Sequence, residues 1–178
     1  WFVGQGNLSI NGGSTLTLVA PSQITATSSQ SLFSGAGSVL FTQAGVVSPC
    51  WWGFLPSATD TANLSAYNAC TASLPSAGGV VIVPPGTYSI SGSLTHGSKP
   101  VSVVGAHPDL TIFTSTAAAS LTHGMVFTRS YILRNLTIKV TTPLTTNYSM
   151  KAVNFDSPAT ANQFFIVEGV KSTGFNIG

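Results

Sequence analysis

A chain of 178 residues is long enough for one ordinary domain or two small ones. Only 6% of it is charged and the net charge is +2, yet 43% is apolar, so disorder is excluded and the polar share falls to Ser, Thr, Asn and Gln. Lys and Arg are scattered, which excludes a basic stripe for nucleic acid, and no apolar run of about eighteen residues exists for membrane insertion.

Trp1, with no Met and no signal-peptide pattern, reads as the start of a fragment or of a processed chain. So little charge is unusual for a lone monomer. Two explanations stand side by side: surface hidden in an oligomer, or extracellular hydration by hydroxyls and amides.

Residues 1–49 read as a β-rich linking and oligomerisation region. Leu8-Ser9-Ile10 alternates and stops at Asn11-Gly12-Gly13, Thr15 to Val19 alternates and stops at Pro21, and Ser38 to Phe41 follows Gly35-Ala36-Gly37. Alternation bounded by Gly, Pro and Asn is a strand pattern. Phe2, Ile10, Leu18, Ile24, Phe33 and Phe41 lie far apart between Ser, Thr and Gly. They are too sparse for a core of their own, and three parallel copies pooling them predicts a homotrimer.

Residues 50–78 form a lead-in segment with a capping helix predicted over Asp60–Leu74. Asp60 is the expected cap, and Leu64, Tyr67, Thr71 and Leu74 recur at spacings of 3, 4 and 3 as one stripe. Pro75 and Gly78-Gly79 end it. Cys50 and Cys70 belong to no metal motif. Their separation permits a disulfide, but two separate buried thiols are favoured, because spacing does not fix bridge geometry.

Residues 79–178 carry two interleaved series of short β-rich runs. One is Val80–Val83, Val101–Val104, Met125–Phe127 and Ala152–Phe155. The other is Tyr88–Ile90, Thr111–Phe113, Leu136–Ile138 and Phe165–Val167, the last three starting 25 and then 29 residues apart. Repeats of that period suggest a solenoid. Tight-turn pairs are few and no helix lies between the strands, which points to an all-β parallel β-helix. Pro84-Pro85-Gly86 is then a corner, since Pro cannot donate to a ladder. Val80-Val81-Ile82-Val83 suits a strand covered on both faces. Arg134 or Asn135 is expected at a bend, with Leu136 and Ile138 pointing inward. The helix would cover the open first coil, and the coils would continue beyond Gly178.

The stretch "CWWGFLPSATDTANLSAYNACTASLPSAGGVVIVPPGTYSISGSL" resembles the start of right-handed parallel β-helices in the pectate-lyase-like superfamily. Trp52-Gly53 matches the aromatic-Gly start, Thr59-Asp60-Thr61 the helix opening, and Gly79 through Tyr88 the strand and corner. Phe54-Leu55-Pro56-Ser57-Ala58 replaces the usual Gly-Asp-Gly, and only one of two paired Asp residues remains. Upstream, "ITATSSQSLFSGAGSVLFTQAGVVSPCWWG" is similar to the linker before such helices in phage tailspikes and tail fibres. The resemblance covers residues 20–178. It implies a right-handed parallel β-helix, three chains in parallel, other phage tail proteins and bacterial surface polysaccharide as partners, and a place on the extracellular virion tail.

The chemistry-bearing residues have local explanations. Of the four carboxylates, Asp60 reads as a helix cap, Asp109 and Asp156 lie in turns beside Pro108 and Ser157-Pro158, and Glu168 stands solvent-facing at a strand end. They form no expected glycosidase pair and no calcium cluster. His96, His107 and His123 read as exposed loop residues. Trp51-Trp52 could stack on a sugar, though the motif favours packing, and Tyr131 or Tyr148 could do the same if exposed. No catalytic, cofactor-binding or metal-binding residue is assigned, and no cofactor is expected. A glycan-binding face is expected beyond Gly178 or between subunits. The functional expectation is a structural and host-recognition part of a phage tail. The alternatives are a polysaccharide lyase or hydrolase with its site outside this segment, and a secreted bacterial adhesin.

Overall fold

The computed structural model describes residues 6–115, 123–127, 131–141, 151–155 and 164–174. In chain order these form β1 (Leu8–Ser9), β2 (Thr15–Leu18), β3 (Phe33–Ser34), β4 (Ser38–Phe41), β5 (Val46–Val47) and α1 (Asp60–Ser73). Then come β6 (Gly79–Val83), β7 (Gly86–Ile90), β8 (Leu94–Thr95), β9 (Val101–Gly105), β10 (Thr111–Ser115), β11 (His123–Phe127), β12 (Tyr131–Val140), β13 (Lys151–Phe155) and β14 (Phe165–Thr173). Among the described residues no helix is long and apolar enough to cross a membrane.

Every strand pairing among the described residues is parallel. The closed right-handed parallel β-helix expected from the sequence is corrected. The strands form separate parallel sheets, one of seven strands, one of three and two of two, and no closed solenoid is defined by the described residues. The reason is physical. Recurring short strands set a pairing offset, whereas closure depends on how the sheets meet through the connecting segments, which the period does not encode.

The two series also sort differently from the expectation. β6 pairs β9 from Gly79↔Val101 to Val83↔Gly105, and β7 pairs β10 from Gly86↔Thr111 to Ile90↔Ser115. β11 and β13 leave the first series and join β8 in the three-stranded sheet. β12 spans both series, pairing β9 at Leu133↔Val103 and β10 at Thr137↔Ile112. β14 follows it from Tyr131↔Phe165 to Lys139↔Thr173, so Phe165 aligns with Tyr131 and not with Leu136. β5, from the N-terminal region, is an edge strand of the same seven-stranded sheet.

Asn135 is the expected bend. Its φ is 58°, the only left-handed non-glycine among the described residues, and Gly169 follows at φ 61° in the adjacent strand. A Cβ on Gly169 would lie 2.7 Å from Asn135 Oδ1. Asn tolerates this conformation better than other side-chain-bearing residues, and Gly adopts it freely. Leu136 and Ile138 are buried, as expected.

The Pro84-Pro85 corner ends β6 at Val83. The Pro84 carbonyl there accepts from two hydroxyls, Tyr88 at 3.0 Å and Thr111 at 3.3 Å, and the Tyr88 hydroxyl also lies 3.3 Å from Pro85 O. The apolar run is covered on one face only. Val81 and Val83 are buried while Ile82 is 37% exposed, because strand alternation sends it to the outer side.

The helix lies as predicted, with one correction. Thr59 is the cap, its hydroxyl accepting from Ala62 N at 3.2 Å, and Asp60 stands in the first turn, where its charge favours the helix dipole. Tyr67, Thr71 and Leu74 are buried and Leu64 is partly so. Asn63 is also fully buried, with its amide satisfied: Oδ1 accepts from Leu55 N at 2.9 Å, and Nδ2 donates to Leu55 O and Ser89 O, both at 3.0 Å. This one side chain ties the lead-in loop to helix and sheet, a role the apolar stripe does not reveal. Phe54, from the segment that departs from the family pattern, is fully buried and stacks on Tyr88 at 4.4 Å. The core runs continuously from Ile10 through α1 to Ile138.

Candidate functional site

Charge gathers on one outer sheet surface. Arg134 and Lys139 lie on β12, Glu168 and Lys171 on β14, and Asp109 on the turn before β10. Alternation puts Leu133, Leu136 and Ile138 into the core, so their neighbours face out. Arg134 and Glu168 are register partners, with Nε 2.8 Å from Oε2. Lys171 donates to Asp109 Oδ1 and holds that carboxyl below its ordinary range. The His107 Nδ1 accepts from Asp109 N at 3.2 Å, and the Thr137 hydroxyl anchors the turn by donating to Pro108 O at 2.6 Å. Sequence separation concealed this surface: Asp109 and Lys171 are 62 positions apart.

The turn reading of Asp109 and the solvent-facing reading of Glu168 match their exposure, but Glu168 lies within β14 and not at a strand end. An Asp109 carboxyl held ionised is poorly suited to proton donation but well suited to accepting hydroxyl hydrogen bonds. Asp156 and Tyr148 lie outside the described residues. His107 is exposed, as expected, and His123 begins β11 instead of lying in a loop.

His96 is a correction. Expected in an exposed loop, it is 3% exposed, with Nδ1 3.0 Å from Val126 O and Nε2 2.7 Å from the Tyr67 hydroxyl. Burial pushes its pKa down to about 4. The flanking Thr95 and Gly97 are exposed, which is why the local sequence looks like a loop tip, while the partners come from α1 and β11. Tyr131 is likewise buried, its ring 5.0 Å from that of Phe165, and not available as an exposed stacking surface.

Trp51 is buried and its indole N–H donates to Thr27 O at 3.1 Å, a packing role. Trp52 is half-buried, tilted against Phe33 with ring centroids 5.1 Å apart. It lines an open cleft of about 470 Å³ between the N-terminal strands and α1. Cys50 and Cys70 are buried free thiols, both raised in pKa by burial. Among the described residues no cluster of His, Cys, Asp or Glu could hold a metal ion.

Compared with known proteins, the chain matches no family model, no curated protein sequence and no solved structure.

Proposed function

We propose that this chain is a structural and host-recognition component of a phage tail, of the tailspike or tail-fibre kind, that binds bacterial surface polysaccharide and works as a homotrimer beside other tail proteins. The observation that carries the reading is the outer surface of β12 and β14. In a chain with four carboxylates, Asp109 on the turn before β10 and Glu168 on β14 stand exposed together with their cations on β12 and β14. Ionised carboxylates and guanidinium groups form strong, directional hydrogen bonds with hydroxyls. The resemblance of residues 20–178 to tailspike sequences supports the biological setting.

The test is binding of the purified chain to a panel of bacterial capsular polysaccharides and lipopolysaccharides. Saturable binding to at least one is expected, weakened by about tenfold in the Asp109→Ala/Glu168→Ala double variant, the loss of one or two charge-assisted hydrogen bonds. Absence of binding across the panel sinks the reading. Release of reducing ends that depends on Glu168 would instead favour a depolymerase.

A further inference from the structure

The Trp52 cleft adjoins a second one of about 570 Å³, and Ser31 lines both. Together they make a trough on the N-terminal side of the chain, built from different elements than the charged outer surface. One end is aromatic and apolar, with Trp52 beside the hydroxyls of Ser34 and Ser65. The other end is mainly hydroxyl and amide, from Asn7, Thr27, Ser29 and Gln30, with Leu55 beside them. No charged residue lines either part.

The walls are held open by the local sequence. On α1 the side chains bordering the cleft are Ala62, Ser65, Ala66 and Ala69, all small. Opposite them, Gly35 and Gly37 let the backbone pack directly on Ile10; a Cβ at Gly35 would sit 2.3 Å from Ile10 O. Trp52 is braced by Phe33 and by Trp51, at 5.1 and 6.3 Å, so its orientation is set before any ligand arrives. A braced aromatic ring loses little freedom on binding.

We infer that this trough is a glycan subsite for a neutral oligosaccharide, separate from the outer surface; the inference rests on the glycan-recognition reading above. A pyranose presents C–H groups on one side, which suit the electron-rich face of an indole, and hydroxyls at its rim, which suit Ser, Thr, Asn and Gln. A charged sugar would lose hydration here without gaining a partner. Binding in the trough is therefore insensitive to salt, whereas binding through the ion-paired surface weakens as salt rises.

The probes are neutral tetrasaccharides of glucose, galactose, mannose and N-acetylglucosamine, with tetragalacturonate as the acidic comparison, titrated into the chain while tryptophan fluorescence and heat are followed. At least one neutral probe binds equally at low and high salt, and tetragalacturonate binds more weakly. Ser65→Phe, at an exposed helix position, fills the cleft and lowers that affinity by about tenfold or more. Gln30→Ala, at the far end, lowers it several-fold and decides the matter if Ser65→Phe does not fold. Neutral-probe binding that both folded variants leave unchanged overturns the trough. So does failure of every neutral probe while the outer surface still binds polysaccharide. Loss of all glycan binding, polysaccharide included, overturns the recognition reading itself.

Discussion

His96 shows how much a single side chain can owe to distant partners. A carbonyl only accepts, so the Nδ1 facing Val126 O carries the ring proton, and Nε2 accepts from the Tyr67 hydroxyl. The neutral ring satisfies both bonds, and a second proton on Nε2 would turn the Tyr67 hydroxyl from donor to acceptor and place a charge in a buried site. With burial holding its pKa at about 4 against 6.5 in the unfolded chain, the unfolded state binds the extra proton between those values. Stability is therefore full above pH 6.5 and falls as pH drops toward 4, by up to about 3 kcal/mol from this group. Urea unfolding from pH 7 to pH 4 is expected to show that fall, and His96→Gln should flatten it. Equal slopes in the two proteins would contradict a buried neutral His96. Asp109, whose carboxyl is held low by Lys171, loses its contribution only at more acidic pH and does not obscure the window.

At the scale of elements, α1 starts and stops near its local signals, Thr59 and Pro75, but how its last carbonyls are satisfied was not legible in them. The Thr59 cap and the stripe through Tyr67 follow known rules. The final turn is different. Its orphan carbonyls are taken by Lys99, whose ammonium donates to Thr71 O, Ala72 O and Leu74 O at 3.1, 2.8 and 2.5 Å. A cation there also meets the negative end of the helix dipole. Giving up water to reach those oxygens lowers its pKa from the usual lysine value. Lys99→Met keeps most of the stem and removes the charge, and is expected to cost about 1–2 kcal/mol in denaturant unfolding. An unchanged midpoint would show that water caps the helix equally well.

Across the whole molecule, the N-terminal strands share the main core. Ile10, Phe33 and Phe41 are buried within one chain, and Leu18 and Ile24 are packed against the same cluster. Phe2 lies outside the described residues. One chain therefore covers these side chains by itself, without pooling them between three copies. The low charge still leaves little repulsion between copies. β14 exposes Phe165, Ile166 and Val167, with Phe164 beside them at 60% exposure. Light scattering at micromolar concentration is expected to give three times the chain mass, and a folded monomer would overturn the trimer.

Much of the local structure could be read from residue order alone. Alternation located β2 and β4, the unbroken apolar run and the Pro-Pro corner located β6 and β7, and the 3-4-3 stripe located α1. Arg134 and Asn135 were the two bend candidates, and the bend falls at Asn135, the one that tolerates a positive φ better. These features depend on near neighbours, where backbone sterics and side-chain period act directly. Tertiary structure decided the rest: the division into separate parallel sheets, the merging of two strand series in β12 and β14, and the burial of His96. It also brought Asp109 to Lys171 and placed Ser31 in the cleft that Trp52 lines, arrangements set by packing between separate segments of the chain. Periodicity determines which face of a strand is apolar, but it does not determine which other apolar face will cover it.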